Sequence, residues 1–183
     1  SLLDLYIGIY KLYQKKWLKM FKVIDNFLNK ENFKKIQNSV LNNSFFPWYF
    51  SNYTDYFGEK GLDKGKYTHT VYENNNSNSK YYDLLLPTIE KLKCVSLITI
   101  KLNSTDYAEK IIEGTYHVDN KHKNTKTAIY YLNTNNGYTK FKENKKKINS
   151  VENRIIIFNS SLEHLGTNTT NDKRRVVLNF NYY

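Results

Sequence analysis

Cysteine is nearly absent: Cys94 is the only one in 183 residues, so no internal disulfide framework braces this chain. A lone thiol fits a reducing, intracellular compartment. Two prolines and seven glycines are few for a chain with many β-forming segments. Turn duty therefore falls to the 25 asparagines, which bond their own backbone and tolerate left-handed conformations. No apolar run approaches the roughly 20 residues of a membrane span, and no signal-peptide pattern is visible, so no membrane partner is expected. The chain opens at Ser1 without Met, the expected mark of trimming.

Acidic side chains are also in deficit, 17 against 28 Lys and Arg, for a formal net charge of +11. Lys11, Lys15, Lys16, Lys19 and Lys22 alternate with Tyr10, Tyr13, Trp17, Leu18 and Phe21 in a basic helical stretch. Lys142, Lys145, Lys146 and Lys147 form a second cluster. Such patches can attract a nucleic-acid backbone. The simpler reading is a solvated surface in a Lys-biased proteome, because no nucleic-acid motif with its own mechanism accompanies them.

Aromatic residues are plentiful. Seventeen tyrosines supply large amphipathic area to a chain whose length suits one domain with a sizeable core. Residues 1–22 read as a basic helical extension. Phe21 to Ile24 suits a first strand, and Asn29 can cap a helix with Phe33, Ile36 and Val40 on one face. Residues 45–56 read as extended, 57–68 as a polar loop, and Asn74 to Ser79 as a mobile low-complexity segment. A helix over 80–93 is expected to be broken or kinked by Pro87, and Val95 to Leu102 is the next strand. The loops expected to face a substrate are 57–80 and 103–115. Thr127 to Asn133 is a strand of β-branched and aromatic residues, ended by Asn135-Asn136-Gly137, with Tyr138 to Phe141 as its hairpin partner. Arg154 to Phe158 suits a buried strand, and Asn159-Ser160-Ser161 turns the chain before His164. Helices first and strands after predict an α+β, mainly β chain with N-terminal helices packed on one sheet.

The chemistry-bearing residues are His117 and Asp119, two apart, and His164, 45 residues after the aspartate. Two imidazoles and a carboxylate hold non-haem Fe(II) on one face of its octahedron and leave three positions open. Alone, a His-x-Asp triplet is weak, since chance alone yields one in roughly one such chain in six. Each member also has an ordinary structural role available: a rim histidine, or a turn aspartate. Spacing two apart puts both side chains on one strand face. His122 lies in a polar loop, His69 is read as structural, and Cys94 as a small buried hydrophobe.

The blocks His117-Val118-Asp119-Asn120, Ile129-Tyr130-Tyr131-Leu132-Asn133, Gly137-Tyr138-Thr139-Lys140-Phe141, Ile156-Ile157-Phe158-Asn159-Ser160-Ser161 with His164, and Arg175-Val176-Val177-Leu178-Asn179-Phe180 resemble the 2-oxoglutarate/Fe(II)-dependent oxygenases. The prolyl-hydroxylase-like branch and small phage-encoded versions are the most similar. The resemblance is strong over Tyr116 to Tyr183 and weaker through Phe21 to Leu28 and Phe46 to Phe50. It implies a double-stranded β-helix, the jelly-roll of the cupins, over residues 23–183. It also implies Fe(II) on His117, Asp119 and His164, with 2-oxoglutarate and O2 as cosubstrates and ascorbate as an optional reductant. The implied reaction yields succinate, CO2 and a hydroxylated C–H bond, of a prolyl or other peptidyl residue. By block matching, Tyr131 bonds the distal carboxylate of 2-oxoglutarate, and Ile129 and Thr139 line the same pocket. Of Arg174 and Arg175 only one can face the interior. Arg174 has a spacing from His164 known in the family, while Arg175 stands before the matching strand and is preferred. In that register Arg175, Val177, Asn179 and Asn181 point inward. A nucleic-acid hydroxylase or demethylase on the same core, or a metal-free jelly-roll binding module, are the alternatives.

Overall fold

The computed structural model describes residues 20–51, 65–122 and 124–183. Most of the expected basic extension, residues 1–19, lies outside the described residues, as do 52–64. Chain order begins with β1 (Phe21–Ile24), α1 (Lys30–Leu41), β2 (Tyr49–Ser51), β3 (Lys66–Glu73) and β4 (Asn76–Ser77). A 3-10 turn over Asp83–Leu85 leads into α2 (Leu86–Leu92). Then come β5 (Leu97–Asp106), β6 (Lys126–Tyr131), β7 (Tyr138–Phe141), β8 (Lys147–Asn149), β9 (Ile155–Asn159), β10 (His164–Gly166) and β11 (Arg174–Tyr182).

Two antiparallel sheets face each other. The larger runs β1-β9-β6-β11-β5-β3-β2, with β4 paired to β3, and the smaller runs β10-β7-β8. Period-two alternation on β11 assigns the faces. Val176, Leu178 and Phe180 join Tyr130 and Ile100 in a core that also takes Phe33, Ile36 and Val40 of α1. Val177 points the other way, into a second core with Ile129, Tyr131, Ile156, Phe158, Phe141 and Ile148 between the sheets. Burying each large apolar side chain contributes about 1.5–3 kcal/mol. The helix thus covers the outer face, and the inner face is left to form a chamber.

Local chemistry explains the elements. The Asn29 side chain accepts the Asn32 amide at 2.8 Å and caps α1 as predicted, a bond typically worth about 1 kcal/mol. Five of the seven described non-glycine residues with positive φ are asparagines: Asn26, Asn74, Asn75, Asn124 and Asn153. Asn153 has φ 61° and ties β1's exit to β9's entry. It accepts the Leu28 amide at 2.9 Å and the Tyr130 hydroxyl at 2.6 Å, and donates to the Leu28 carbonyl at 2.9 Å.

Five expectations need correction. Asn74 to Ser79 has regular structure: Asn74 and Asn75 take φ of 55° and 59°, which closes a tight hairpin between β3 and β4. The loop expected through residue 68 ends earlier, because β3 starts at Lys66. Pro87 does not break a helix; it sits in the first turn of α2, where its missing N–H costs nothing. Tyr138 to Phe141 is not the hairpin partner of β6. It pairs with β10 and β8 in the other sheet, so Asn135-Asn136-Gly137 carries the chain across the sandwich. Segment 103–106, expected as loop, belongs to β5. Among the described residues no helix is long and apolar enough to cross a membrane.

Candidate active site

His164 opens β10, and the segment before Asp119 runs beside it. His117 and His164 form an antiparallel bridge, each donating its amide to the other's carbonyl at 3.0 Å. Gly114 bonds Gly166 in the same ladder at 2.9 Å, so residues 113–117 act as an irregular extra strand of the small sheet. Asp119 then turns under β9: its amide donates to the Ser160 carbonyl at 3.1 Å. The backbone alone therefore draws three side chains, remote in sequence, onto one point.

Side-chain chemistry at that point is ordered. The candidate ligand atoms of His117, Asp119 and His164 all lie within 4.8 Å of one another. Asp119 Oδ1 is 3.6 Å from His117 Nε2 and 3.8 Å from His164 Nε2. Each Nδ1 is within hydrogen-bond reach of a backbone carbonyl, His117 of Thr115 at 3.0 Å and His164 of Leu162 at 2.9 Å. A carbonyl can only accept, so both Nδ1 atoms carry the proton and both Nε2 atoms present a lone pair inward. Asp119 Oδ2 takes the Thr127 hydroxyl at 2.9 Å and the Asn179 amide at 3.4 Å, which leaves Oδ1 to face the imidazoles. Burial pushes the Asp119 carboxyl up, but the polar surroundings of the His117 and His164 imidazoles and the hydrogen bond from Thr127 outweigh it. The net value is about 2, so the group stays ionised. Two neutral imidazoles and one carboxylate converging on one point match the donor set that divalent iron takes.

Beyond the triad lies the chamber's closed half. Arg175 is 5 % exposed and extends between the sheets. Its Nε donates to Ser150 Oγ at 2.8 Å, Nη2 to Thr139 Oγ1 at 3.1 Å and Nη1 to the Thr167 carbonyl at 3.4 Å. The guanidinium sits 5.5 Å from the centre of the Tyr131 ring, and the Tyr131 hydroxyl donates to Thr139 Oγ1 at 2.8 Å. Ile129 stands on the same face of β6, two residues from Tyr131. Arg174 faces the other way. It lies 5.6 Å over Trp48 and donates to the Leu41 carbonyl at 3.2 Å, under the helix layer.

The residues singled out by sequence thus divide cleanly. His117, Asp119, His164, Arg175, Tyr131, Ile129 and Thr139 share one chamber, and Arg174 does not. His122 is exposed. His69 is a buried structural residue, bonded at 2.8 Å to the Pro47 carbonyl and at 2.7 Å to Ser79 Oγ. Sequence reasoning missed Thr127, which holds Asp119, and Ser150, which holds Arg175. Thr127 carried a signal, since strand alternation puts it on the face of Ile129 and Tyr131. Ser150, in a loop after β8, carried none.

No protein-family model matches the chain, and no curated protein does. Solved structures do match. A prolyl hydroxylase from Trichoplax adhaerens, in complex with a hypoxia inducible factor oxygen degradation domain peptide fragment, is 16% identical with a TM-score of 0.62; the match covers 90% of this chain and 84% of that one. The viral collagen prolyl hydroxylase of Paramecium Bursaria Chlorella virus-1, in its 2-oxoglutarate complex, is 14% identical with a TM-score of 0.56, over 89% of this chain and 95% of that one. The non-heme alpha ketoglutarate dependent carbocyclase SnoK from nogalamycin biosynthesis is 10% identical with a TM-score of 0.62, over 91% and 80%. The chain has the fold of the 2-oxoglutarate/Fe(II) oxygenases, and its jelly-roll core is prolyl-hydroxylase-like. Because that fold also carries a carbocyclase, it does not name the reaction.

Proposed function

We propose that this chain is a non-haem Fe(II)- and 2-oxoglutarate-dependent dioxygenase that hydroxylates a C–H bond of a prolyl or other peptidyl residue. The observation that carries the reading is the tautomer lock: both Nδ1 atoms are engaged by carbonyls, so both Nε2 atoms converge with Asp119 Oδ1. When bound, iron supplies the oxidation in which 2-oxoglutarate, O2 and R–H become succinate, CO2 and R–OH. The protein's part is position and environment. His117, Asp119 and His164 hold the metal, and Thr127 keeps the Asp119 carboxylate turned toward it. Arg175 offers a planar fork to the distal carboxylate of 2-oxoglutarate, and Tyr131 and Thr139 steady that end. Ile129, Ile156, Phe158 and Val177 wall this half of the chamber and keep water from it.

A peptidyl substrate is supported by the peptide held in the Trichoplax relative of the fold. A nucleic-acid substrate has only the net charge behind it. The test is turnover by purified protein with Fe(II), 2-oxoglutarate, O2 and ascorbate as reductant. Peptide, nucleotide and amino-acid pools are screened by mass spectrometry for addition of one oxygen. Succinate release with an oxygenated peptide is expected. No 2-oxoglutarate consumption under any condition contradicts the reading, and an oxygenated nucleotide moves the substrate class.

A further inference from the structure

The two halves of the inner sheet face differ. Over β6, β9 and β11 the small sheet closes the chamber with apolar side chains. Over β5 and β3 the same face is polar and half-buried. Ile100 and Leu102 are buried in the core beneath the helices, so Thr99, Lys101, Asn103 and Thr105 of β5 point to the chamber side. Register adds Thr68, opposite Asn103, and Thr70, opposite Lys101.

Lys101 is the cation on this face nearest the triad. It stands directly opposite Asn179 of β11, the residue whose amide touches Asp119 Oδ2 at 3.4 Å. Directly opposed residues on antiparallel strands have Cβ atoms about 5 Å apart, so a lysine stem reaches the space beside the metal site. Among the described residues the Lys101 side chain makes no ion pair or hydrogen bond, and Glu73, opposite Thr99 on this face, does not pair with it. Two further groups there await a partner: Asn103 Oδ1 and Asn179 Oδ1 are buried and unbonded. Leaving buried polar atoms unmatched is costly, so a cation between two such amides describes a site for a ligand carrying an anion and an amide-like group.

We infer that Lys101, flanked by Asn103 and Asn179, is a specificity-determining residue that binds a carboxylate of the primary substrate beside the carbon to be oxidised. This rests on the dioxygenase reading. Arg175 and Lys101 then serve opposite ends of the chamber, the first for the cosubstrate and the second for the molecule hydroxylated. The carboxylate belongs either to an acidic residue of a peptide or to a small free acid.

The experiment uses the full chain loaded with Mn(II) and 2-oxoglutarate without O2, and reads ligand binding from paramagnetic relaxation of the ligand's protons. Mn(II) and 2-oxoglutarate binding by wild type are measured first; their failure overturns the parent reading, and this inference with it. The probes are two matched pairs, acetyl-Pro-Glu-amide with acetyl-Pro-Gln-amide, and L-proline with L-prolinamide. The acid of at least one pair is expected to bind at least tenfold tighter than its amide, equivalent to about 1.4 kcal/mol. Which pair discriminates tells peptide from free acid. Lys101→Met is expected to erase the preference and Lys101→Arg to keep it, with 2-oxoglutarate affinity within twofold of wild type in both. Equal affinity for acid and amide in both pairs, including none for either, overturns the inference. So does a tenfold loss of 2-oxoglutarate affinity in Lys101→Met, which reassigns the lysine to the cosubstrate. Lys101-dependent binding of oligo-dT in place of the acids also overturns it.

Discussion

Removing the Arg175 side chain separates a cosubstrate clamp from a structural arginine, and the neighbouring Arg174 is its internal control. A guanidinium gripping the distal carboxylate through two parallel charge-assisted bonds gains roughly 1.5–3 kcal/mol per bond. Breaking a buried pair by removing one partner costs about 3–5 kcal/mol, because the other charge is left stranded. At about 1.4 kcal/mol per tenfold, Arg175→Ala should raise the KM for 2-oxoglutarate at least tenfold and by as much as roughly a thousandfold. Arg175→Lys keeps the charge, loses the fork that Ser150 and Thr139 orient, and should fall between. Arg174→Ala removes a contact to Trp48 and a bond to the Leu41 carbonyl, both in the helix layer. It should lower Tm by a few degrees, about 1 kcal/mol, and leave that KM within twofold. KM from succinate release, checked by direct 2-oxoglutarate binding, reads the outcome. The reverse ranking of the two arginines would refute the placement of the clamp.

Gly137→Ala should act on the same pocket at a distance from the metal. An added Cβ would stand 2.4 Å from the Asn168 carbonyl oxygen and 2.5 Å from Arg175 Cδ, so the arginine must shift, and KM for 2-oxoglutarate should rise with metal affinity unchanged. Asn153→Ala should destabilise by about 3 kcal/mol in chemical denaturation, since it strips three buried hydrogen bonds and strains a left-handed residue. A loss under 1 kcal/mol would contradict that. Burial pushes the Cys94 thiol up to about 11. Deprotonation must precede attack, so alkylation of the folded protein by iodoacetamide should stay slow through pH 8 and reach free-cysteine rates only on unfolding.

The site was more legible than its scaffold. His117, Asp119 and His164 are read from ligand chemistry together with the resemblance of their flanking blocks, and the same resemblance sets the register that turns Arg175 inward, with Val176, Leu178 and Phe180 buried on the other face. What failed to show were features set by contacts between distant segments. β7 follows β6 after a turn signal and looks like its hairpin partner, yet the chain crosses to the opposite sheet between them. β3 escaped notice because its chamber face, Lys66, Thr68 and Thr70, is as polar as a loop. Asn74 and Asn75 resemble low-complexity sequence until their backbone is seen to be left-handed. Polar lining and polar loop share a composition; only the buried opposite face, His69 and Val71, tells them apart.

Joint binding of Fe(II) and 2-oxoglutarate, followed by stoichiometric conversion to succinate and CO2 on admitting O2, tests the central claim most directly. Wild-type protein should hold one metal per chain and turn over, while His117→Ala and His164→Ala should keep the fold by circular dichroism and lose metal and succinate together. Full metal occupancy and turnover in either variant, or a wild-type protein that takes up Fe(II) but never 2-oxoglutarate, would contradict it.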